Sequence, residues 1–330
     1  MLDAFAPLDR RLLDDFQRSL PACPRPFAWM AEQLGSTEVE VIAHLTALRD
    51  EGVITRVGAT VRPNTAGAST LAALAVPEAR LEEVAAQVGA HDEVNHSYLR
   101  ENAWNLWFVV TASDSAHLDQ TLDAIRRDTG LTLLDLRLLR PFNIDLGFSL
   151  LGTGAQPLTR KQIDLDALCE DDRPLLHLMS RGLPLCPRPF KAVAEELGRP
   201  ETAVIARTDA LIKAGIVSRF GVIVRHRRIG WNANAMVVWD VPENGIEAAG
   251  TALASLSGVT LCYQRQTVPD LWRYGLFSMI HARSRDEAYE VLARAKALPE
   301  LAGIEHQVLF STRCFKQTGA ALTNTRNREA

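Results

Sequence analysis

The feature that most constrains this chain is that one half of it repeats the other. Leu20–Gly35 reads LPACPRPFAWMAEQLG and Leu183–Gly198 reads LPLCPRPFKAVAEELG, so 11 of 16 positions agree at an offset of 163 residues. The agreement continues through Val41/Val204, Ile42/Ile205, Leu48/Leu211, Gly52/Gly215, Arg56/Arg219, Gly58/Gly221 and Arg62/Arg225. A repeat this long is a duplicated domain and not a solenoid unit. The 330 residues suffice for several independent cores. A homodimer carries every interface feature twice, whereas a fused pair is free to let its halves diverge. Positions at which the two copies differ are therefore where chemistry is to be sought.

Composition excludes several classes. A net charge of −4 gives no support for strong nucleic-acid binding. The five cysteines (Cys23, Cys169, Cys186, Cys262, Cys314) form no CxxC pair and show no zinc-ligand spacing, so no metal site is expected. Cys23 and Cys186 are repeat equivalents and read as small buried residues. There is no glycine-rich phosphate loop and no nucleophile elbow. No apolar run is long enough for a membrane span or a leader segment, and a cytoplasmic location is expected.

Periodicity gives the modules. Leu8, Leu12, Leu13, Phe16 and Leu20 have helical spacing up to the break at Pro21–Pro26. Phe27–Leu34 reads as a short helix ending at a C′ glycine, Gly35. Thr37 with Glu40 fits a capping box for a third helix that buries Val41, Ile42, Leu45 and Leu48. Val53–Val61 reads as a strand or wing. Residues 164–225 repeat this winged helix-turn-helix. Each half then alternates as β-α-β-β-α-β, the ferredoxin-like order. In the first half the elements are Thr70–Val76, Ala79–Val88, Val94–Arg100, Trp104–Thr111, Ala116–Asp128 and Leu131–Leu139. In the second they are Ala233–Val241, Gly245–Leu256, Val259–Arg265, Tyr274–Ala282, Arg285–Ala297 and Ile304–Phe310. The expected fold is an α+β tandem duplication forming a pseudo-dimer. Its domains are 1–63 and 161–226 (winged helix-turn-helix) and 64–150 and 227–318 (ferredoxin-like). A linker covers 151–160 and a disordered tail 319–330.

Such a module usually implies DNA, but the charges argue otherwise. The first recognition-type helix carries Glu38, Glu40, Asp50 and Glu51 against Arg49, and its counterpart sets Glu201 and Asp209 against Arg207 and Lys213. Phosphate contacts need cations, so no specific DNA partner is expected.

Polar residues concentrate elsewhere. In the strand VNHSYLR, His96, Tyr98 and Arg100 alternate and share one face. The counterpart VTLCYQR keeps Tyr263 and Arg265 but has Leu261 where the first half has His96. After the wing the asymmetry is reversed: FGVIVRHRRIG has His226 where VGATVRPNTAG has Pro63. Each half keeps one histidine that its twin lacks, an arrangement that would suit a single composite site. Drift at two surface positions is the other reading of the same facts. Arg62, Arg100, Arg225, Arg227, Arg228 and Arg265 flank these histidines, and arginine binds carboxylates bidentately. With Trp104, Trp107, Trp272 and Tyr274 nearby, a flat polycarboxylate fits both features.

RPF-x3-A-E-x-LG, the H-x-Y-x-R strand followed by WNLWF, and RFGVIVRHRRIGWNANAMVVWDVP together resemble siroheme decarboxylases of the fused NirD–NirL type. The resemblance covers about residues 8–318. It implies an Lrp/AsnC-like fold and removal of two ring acetate carboxyls of siroheme, at C12 and C18, giving 12,18-didecarboxysiroheme in d1-type haem biosynthesis. His96 and His226 are then the catalytic residues. Tyr98, Arg100, Arg62, Arg225, Arg227, Tyr263, Arg265 and Trp104 would hold substrate. No cofactor is implied beyond the iron tetrapyrrole substrate itself. Partners implied are siroheme, a second copy of the fused chain and other enzymes of d1-type haem biosynthesis. Ser97 departs from the family's usual HNY and should point to the opposite face. A tetrapyrrole-sensing regulator and a non-catalytic carrier remain the alternatives.

Loss of CO2 from a ring acetate leaves an exocyclic carbon that must be protonated, and histidine has the right pKa for that work. His96→Ala or His226→Ala should lower turnover on the order of 10²-fold or more, while substitutions at Leu261 and Pro63 should be mild. Steady-state assays decide it: Pro63 variants as damaging as His226 variants would contradict the asymmetry.

Overall fold

The computed structural model describes residues 5–18, 20–143, 163–320 and 322. The linker expected at 151–160 lies outside these, as does most of the expected tail. Its first residues are packed and not disordered: Ser180 Oγ donates to the Ala320 carbonyl at 3.1 Å, and Leu322 is buried. The chain forms two compact units, each assembled from both copies. One comprises residues 1–67, 147–230 and 318–330, the other 68–146 and 231–317.

The first unit holds the two helix-turn-helix modules. Its elements are α1 (Pro7–Asp15), α2 (Pro26–Leu34), α3 (Glu38–Asp50) and β1 (Ile54–Val61), then α6 (Asp172–Arg181), α7 (Pro189–Leu197), α8 (Glu201–Lys213) and β6 (Val217–Val224). The repeated CPRPF motif is explained by this part of the fold. Pro26 and Pro189 start α2 and α7, where a missing N–H costs nothing. Phe27 and Phe190 are fully buried. Arg25 and Arg188 pair with Glu38 and Glu201 at the start of the following helix. Gly35 and Gly198 close α2 and α7 in the left-handed region, at φ 66° and 64°. The Thr37–Glu40 capping box is present.

Each wing is a single strand, and the two wings pair with each other. β1 runs antiparallel to β6 with Gly58 opposite Gly221, so the repeat equivalents meet at a local two-fold. This pairing also explains why α1 stops at Asp15, short of the Leu20 expected from spacing. The chain leaves the helix to join β6: the Val222 N–H donates to the Phe16 carbonyl at 2.8 Å, and the Leu20 N–H to the Phe220 carbonyl at 3.1 Å. Leu183 N–H bonds the Val57 carbonyl in the same way. A Cβ on Gly221 would fall 2.2 Å from the Phe16 carbonyl oxygen, and one on Gly58 2.4 Å from that of Met179. Only glycine lets these backbones approach.

The second unit is a closed eight-stranded barrel. The first copy contributes β2 (Ala68–Leu74), α4 (Leu81–Gly89), β3 (Val94–Arg100), β4 (Leu106–Ala112), α5 (Ser115–Thr129) and β5 (Leu133–Asn143). The second contributes β7 (Ala233–Trp239), α9 (Ile246–Ser255), β8 (Val259–Arg265), β9 (Leu276–Ala282), α10 (Arg285–Lys296) and β10 (His306–Gln317). Each sheet has its last strand beside its first, in the orders β5-β2-β4-β3 and β10-β7-β9-β8. The edges join at two antiparallel seams, β3 with β10 and β5 with β8. Helices cover the outer face of each sheet over separate apolar cores. The last strands overrun their own sheets, and Phe142 packs against the second copy's outer core while Phe315 packs against the first copy's. A third core lies on the inner faces and mixes both copies: Ala73, Trp107, Leu134 and Leu136 meet Met236, Val238, Trp272, Tyr274, Phe277 and Leu309.

Gly58→Ala and Gly221→Ala should each destabilise the folded chain by ~1–3 kcal/mol or more through overpacking at the local two-fold. Thermal denaturation checks this; an unchanged midpoint in both would contradict the close approach of the backbones.

Candidate active site

On β3 the period-two spacing places His96, Tyr98 and Arg100 on the inner face. Tyr98 pairs across to Trp107, a member of the inner core. The His96 and Tyr98 rings stack at 6.3 Å with planes 12° apart, and the Arg100 guanidinium lies 5.8 Å from the Tyr98 ring centre. Ser97 is fully buried and pairs with Phe108 of the outer core, so it faces away from this row, as the alternation requires. His96 and Tyr98 are half-buried; Arg100 is 6 % exposed.

The twin row on β8 places Arg265 5.1 Å from the Tyr263 ring centre. Burial pushes the Tyr263 phenol up and lowers Arg265 to about 10. Both arginines also span a seam. Arg100 Nη1 donates to the Leu309 carbonyl and Arg265 Nη1 to the Leu136 carbonyl, each at 3.0 Å. The sequence offered these side chains as carboxylate binders only, and the backbone bonds across the seams were not foreseen. Trp104 lies against the inner core, and its carbonyl accepts the Trp107 indole N–H at 2.5 Å. Trp107, Trp272 and Tyr274 pack edge to face at 5.1 Å as part of that core.

Arg100 has further partners on the second copy. Its Nη1 donates to Asn234 Oδ1 at 3.2 Å, and Asn234 Nδ2 lies 2.7 Å from His281 Nε2. His281 Nδ1 lies 2.7 Å from Thr260 Oγ1. Sequence reasoning missed Asn234 and Thr260. Their one signal was position: Asn234 alternates with the inner-core residues Met236 and Val238 on β7.

The remaining candidates lie in the helix-turn-helix unit. His226 opens a short 3-10 turn, His226–Ile229, directly after β6, and it and Arg227 are half-buried. Arg62 and Arg225 are a symmetric pair. Arg62 Nε donates to the Gly215 carbonyl at 3.1 Å, and its N–H to that of Ile216 at 2.8 Å. The Arg225 N–H donates to the Val53 carbonyl at 2.8 Å, and its guanidinium lies against Gly52. Arg62 and Arg225 thus tie each copy to the helix end of the other, a task that spacing alone did not reveal. On the recognition-type helices the cations are engaged. Arg49 pairs with Asp50 and Lys213 with Asp209. Arg207 turns inward to Asp172, which is 1 % exposed. Val39 is an exposed apolar side chain on α3. Among the described residues, no group of three or more His, Cys, Asp or Glu side chains is arranged to hold a metal ion, and no helix is long and apolar enough to cross a membrane.

Paired helix-turn-helix modules, with two ferredoxin-like sheets closing one barrel, define an Lrp/AsnC-like ligand-binding protein built from a single duplicated chain. A model of the AsnC-like ligand binding domain matches residues 66–143 and 228–316. A model of the siroheme decarboxylase NirDL-like HTH domain matches 9–54 and 172–217. A siroheme decarboxylase NirDL subunit of Paracoccus denitrificans is 60 % identical over 315 residues, spanning 96 % of this chain and 97 % of that one. A NirD subunit of Stutzerimonas stutzeri is 54 % identical over 143 residues, 43 % of this chain and 94 % of its own length. The crystal structure of a siroheme decarboxylase NirDL in complex with an iron-uroporphyrin III analogue superposes with a TM-score of 0.65 at 26 % identity, over 96 % of this chain and 94 % of that one. The chain belongs to the siroheme decarboxylase NirDL family.

Proposed function

We propose that this chain removes the two ring acetate carboxyls of siroheme, at C12 and C18, to give 12,18-didecarboxysiroheme. It acts as a carboxy-lyase. The observation that carries this reading is the 60 % identity, along nearly the whole chain, to a siroheme decarboxylase NirDL subunit. A crystallised relative bound to an iron-uroporphyrin analogue supports a tetrapyrrole as the ligand.

Each step converts a ring CH2–COO⁻ and one proton into a ring CH3 and CO2. The bond between the methylene carbon and the carboxyl carbon breaks, its electron pair is accepted by the macrocycle, and the exocyclic carbon then takes the proton. No oxidant is consumed, and the substrate brings its own iron and its own electron sink. The chain has to bind, orient and protonate. His96 stacks on Tyr98, whose ring also lies beside Arg100, so an imidazole able to carry a proton shares this row with a cation able to hold a carboxylate. His96 is the proton-handling residue of the barrel row in this reading, and His226 is the histidine proposed for the same work from the other unit's sequence. Tyr98, Tyr263 and Trp104 offer ring faces to the macrocycle, and Arg100 and Arg265 orient its carboxylates.

The product belongs on the way to a d1-type haem, in the cytoplasm, with other enzymes of that synthesis as partners. DNA binding is disfavoured by the engaged cations of α3 and α8. The test is anaerobic incubation of the full chain with siroheme, followed by product mass. The expected result is stepwise loss of the mass of one and then two CO2. Stoichiometric binding with unchanged mass would make the chain a carrier, and salt-sensitive binding to a discrete DNA site without mass change would make it a regulator.

A further inference from the structure

We infer that His281 is a positioning residue for this reaction, acting through Asn234 on Arg100. The inference rests on the decarboxylase reading and adds to that site a residue from the second copy.

The hydrogen-bond directions follow from chemistry. Arginine carries donors only, so Asn234 must present its oxygen to Arg100 Nη1, at 3.2 Å. Its amide NH2 is thereby turned to His281 Nε2, at 2.7 Å, and that ring nitrogen must accept. The ring proton then sits on Nδ1 and is donated to Thr260 Oγ1, at 2.7 Å. The Thr260 hydroxyl donates in turn to the Met279 carbonyl at 3.1 Å. One arrangement satisfies all four contacts, with His281 neutral and protonated on Nδ1. A neutral histidine in this tautomer fixes the Asn234 amide, and the fixed amide holds the guanidinium beside Tyr98.

The internal repeat separates what is structural here from what is specific. The bond from Arg100 to the Leu309 carbonyl has its twin in the bond from Arg265 to the Leu136 carbonyl, so both seams are secured alike. The amide–imidazole link is not duplicated. Asn234 stands opposite His281 on β7 and β9, whereas the corresponding pair on β2 and β4 is Ser69 opposite Thr111. Neither an imidazole nor an amide occupies those twin positions. His281 thus has a threonine, Thr111, at its twin position, and Asn234 has a serine, Ser69. Through Asn234, His281 reaches the row that carries His96.

Steady-state decarboxylation of siroheme by the full chain tests this with four variants. His281→Phe keeps ring volume and removes both hydrogen bonds. His281→Gln keeps an acceptor for Asn234. Asn234→Ser introduces the twin copy's side chain, and the fourth variant combines Asn234→Ser with His281→Phe. A guanidinium that holds a non-reacting carboxylate contributes to ground state and transition state alike. His281→Phe should accordingly raise KM on the order of tenfold with kcat within about twofold. His281→Gln should recover most of that loss. Asn234→Ser should match His281→Phe, and the double variant should be no worse than either, because all interrupt one chain of contacts. Wild-type KM in folded His281→Phe, or fold-losses that multiply in the double variant, would overturn the proposal. So would a fall in kcat alone accompanied by a lowered thermal midpoint, the mark of a merely structural role. If His281→Phe does not fold, Asn234→Ser decides, since an unchanged KM there is equally fatal. Wild-type chain that releases no CO2 from siroheme would refute the functional reading and the inference with it. Wild-type turnover with an indifferent His281 would refute the inference alone.

Discussion

Each ferredoxin-like sheet ends in two strands with unsatisfied backbone edges, and the pairing of those edges across the duplication is what the rest of the barrel depends on. Open edges are costly and aggregation-prone. Here β3 closes on β10 and β5 on β8, so the barrel has no free edge. The extended last strands carry Phe142 and Phe315 into the opposite copy's outer core. Arg100 and Arg265 each donate to a backbone carbonyl across a seam. The helix-turn-helix unit obeys the same rule through β1 and β6, with Gly58 and Gly221 allowing the approach. Neither unit is the property of one copy.

Fusion gives this arrangement its chemical meaning. In a symmetric dimer, any change that improves one inner face is imposed on the other. In one chain the seams remain alike while the faces between them diverge. Tyr-x-Arg persists on both β3 and β8, as the seam bonds demand. His96 stands where the other copy has Leu261, and the Asn234–His281 pair has Ser69 and Thr111 at the corresponding positions across the barrel. Repeated seam contacts and residues that differ between the copies therefore sit within a few positions of one another. The helix-turn-helix modules show the converse: their repeated motif was kept for packing and for the Arg–Glu pairs, while the exposed faces of α3 and α8 lack unengaged cations.

The repeating patterns were legible in the sequence because they are local. Alternation on β3 fixed the shared face of His96, Tyr98 and Arg100 and sent Ser97 the other way. The Thr37–Glu40 box and the glycines after α2 and α7 marked helix ends. The βαββαβ order followed from where period two gave way to period 3.6. What was not legible depends on distant partners. The end of α1 at Asp15 is set by strand bonds to residues some 200 positions away. Arg62 and Arg265 read as anion binders because nothing in their own neighbourhood shows the Gly215 and Leu136 carbonyls. Asn234 looked like an ordinary strand residue until β9 was laid beside it. The sequence order suggested four consecutive domains, whereas the structure groups them into two units of mixed parentage.

The proposed function stands or falls on whether the inner-face row of β3 engages the tetrapyrrole. Amide hydrogen exchange of the full chain, with and without siroheme, addresses it most directly. Exchange should slow over Val94–Arg100 and the facing residues of β10 and β7 once siroheme is bound, with α3 and α8 unaffected. Protection confined to α3 and α8, with β3 exchanging as in the free chain, would contradict it.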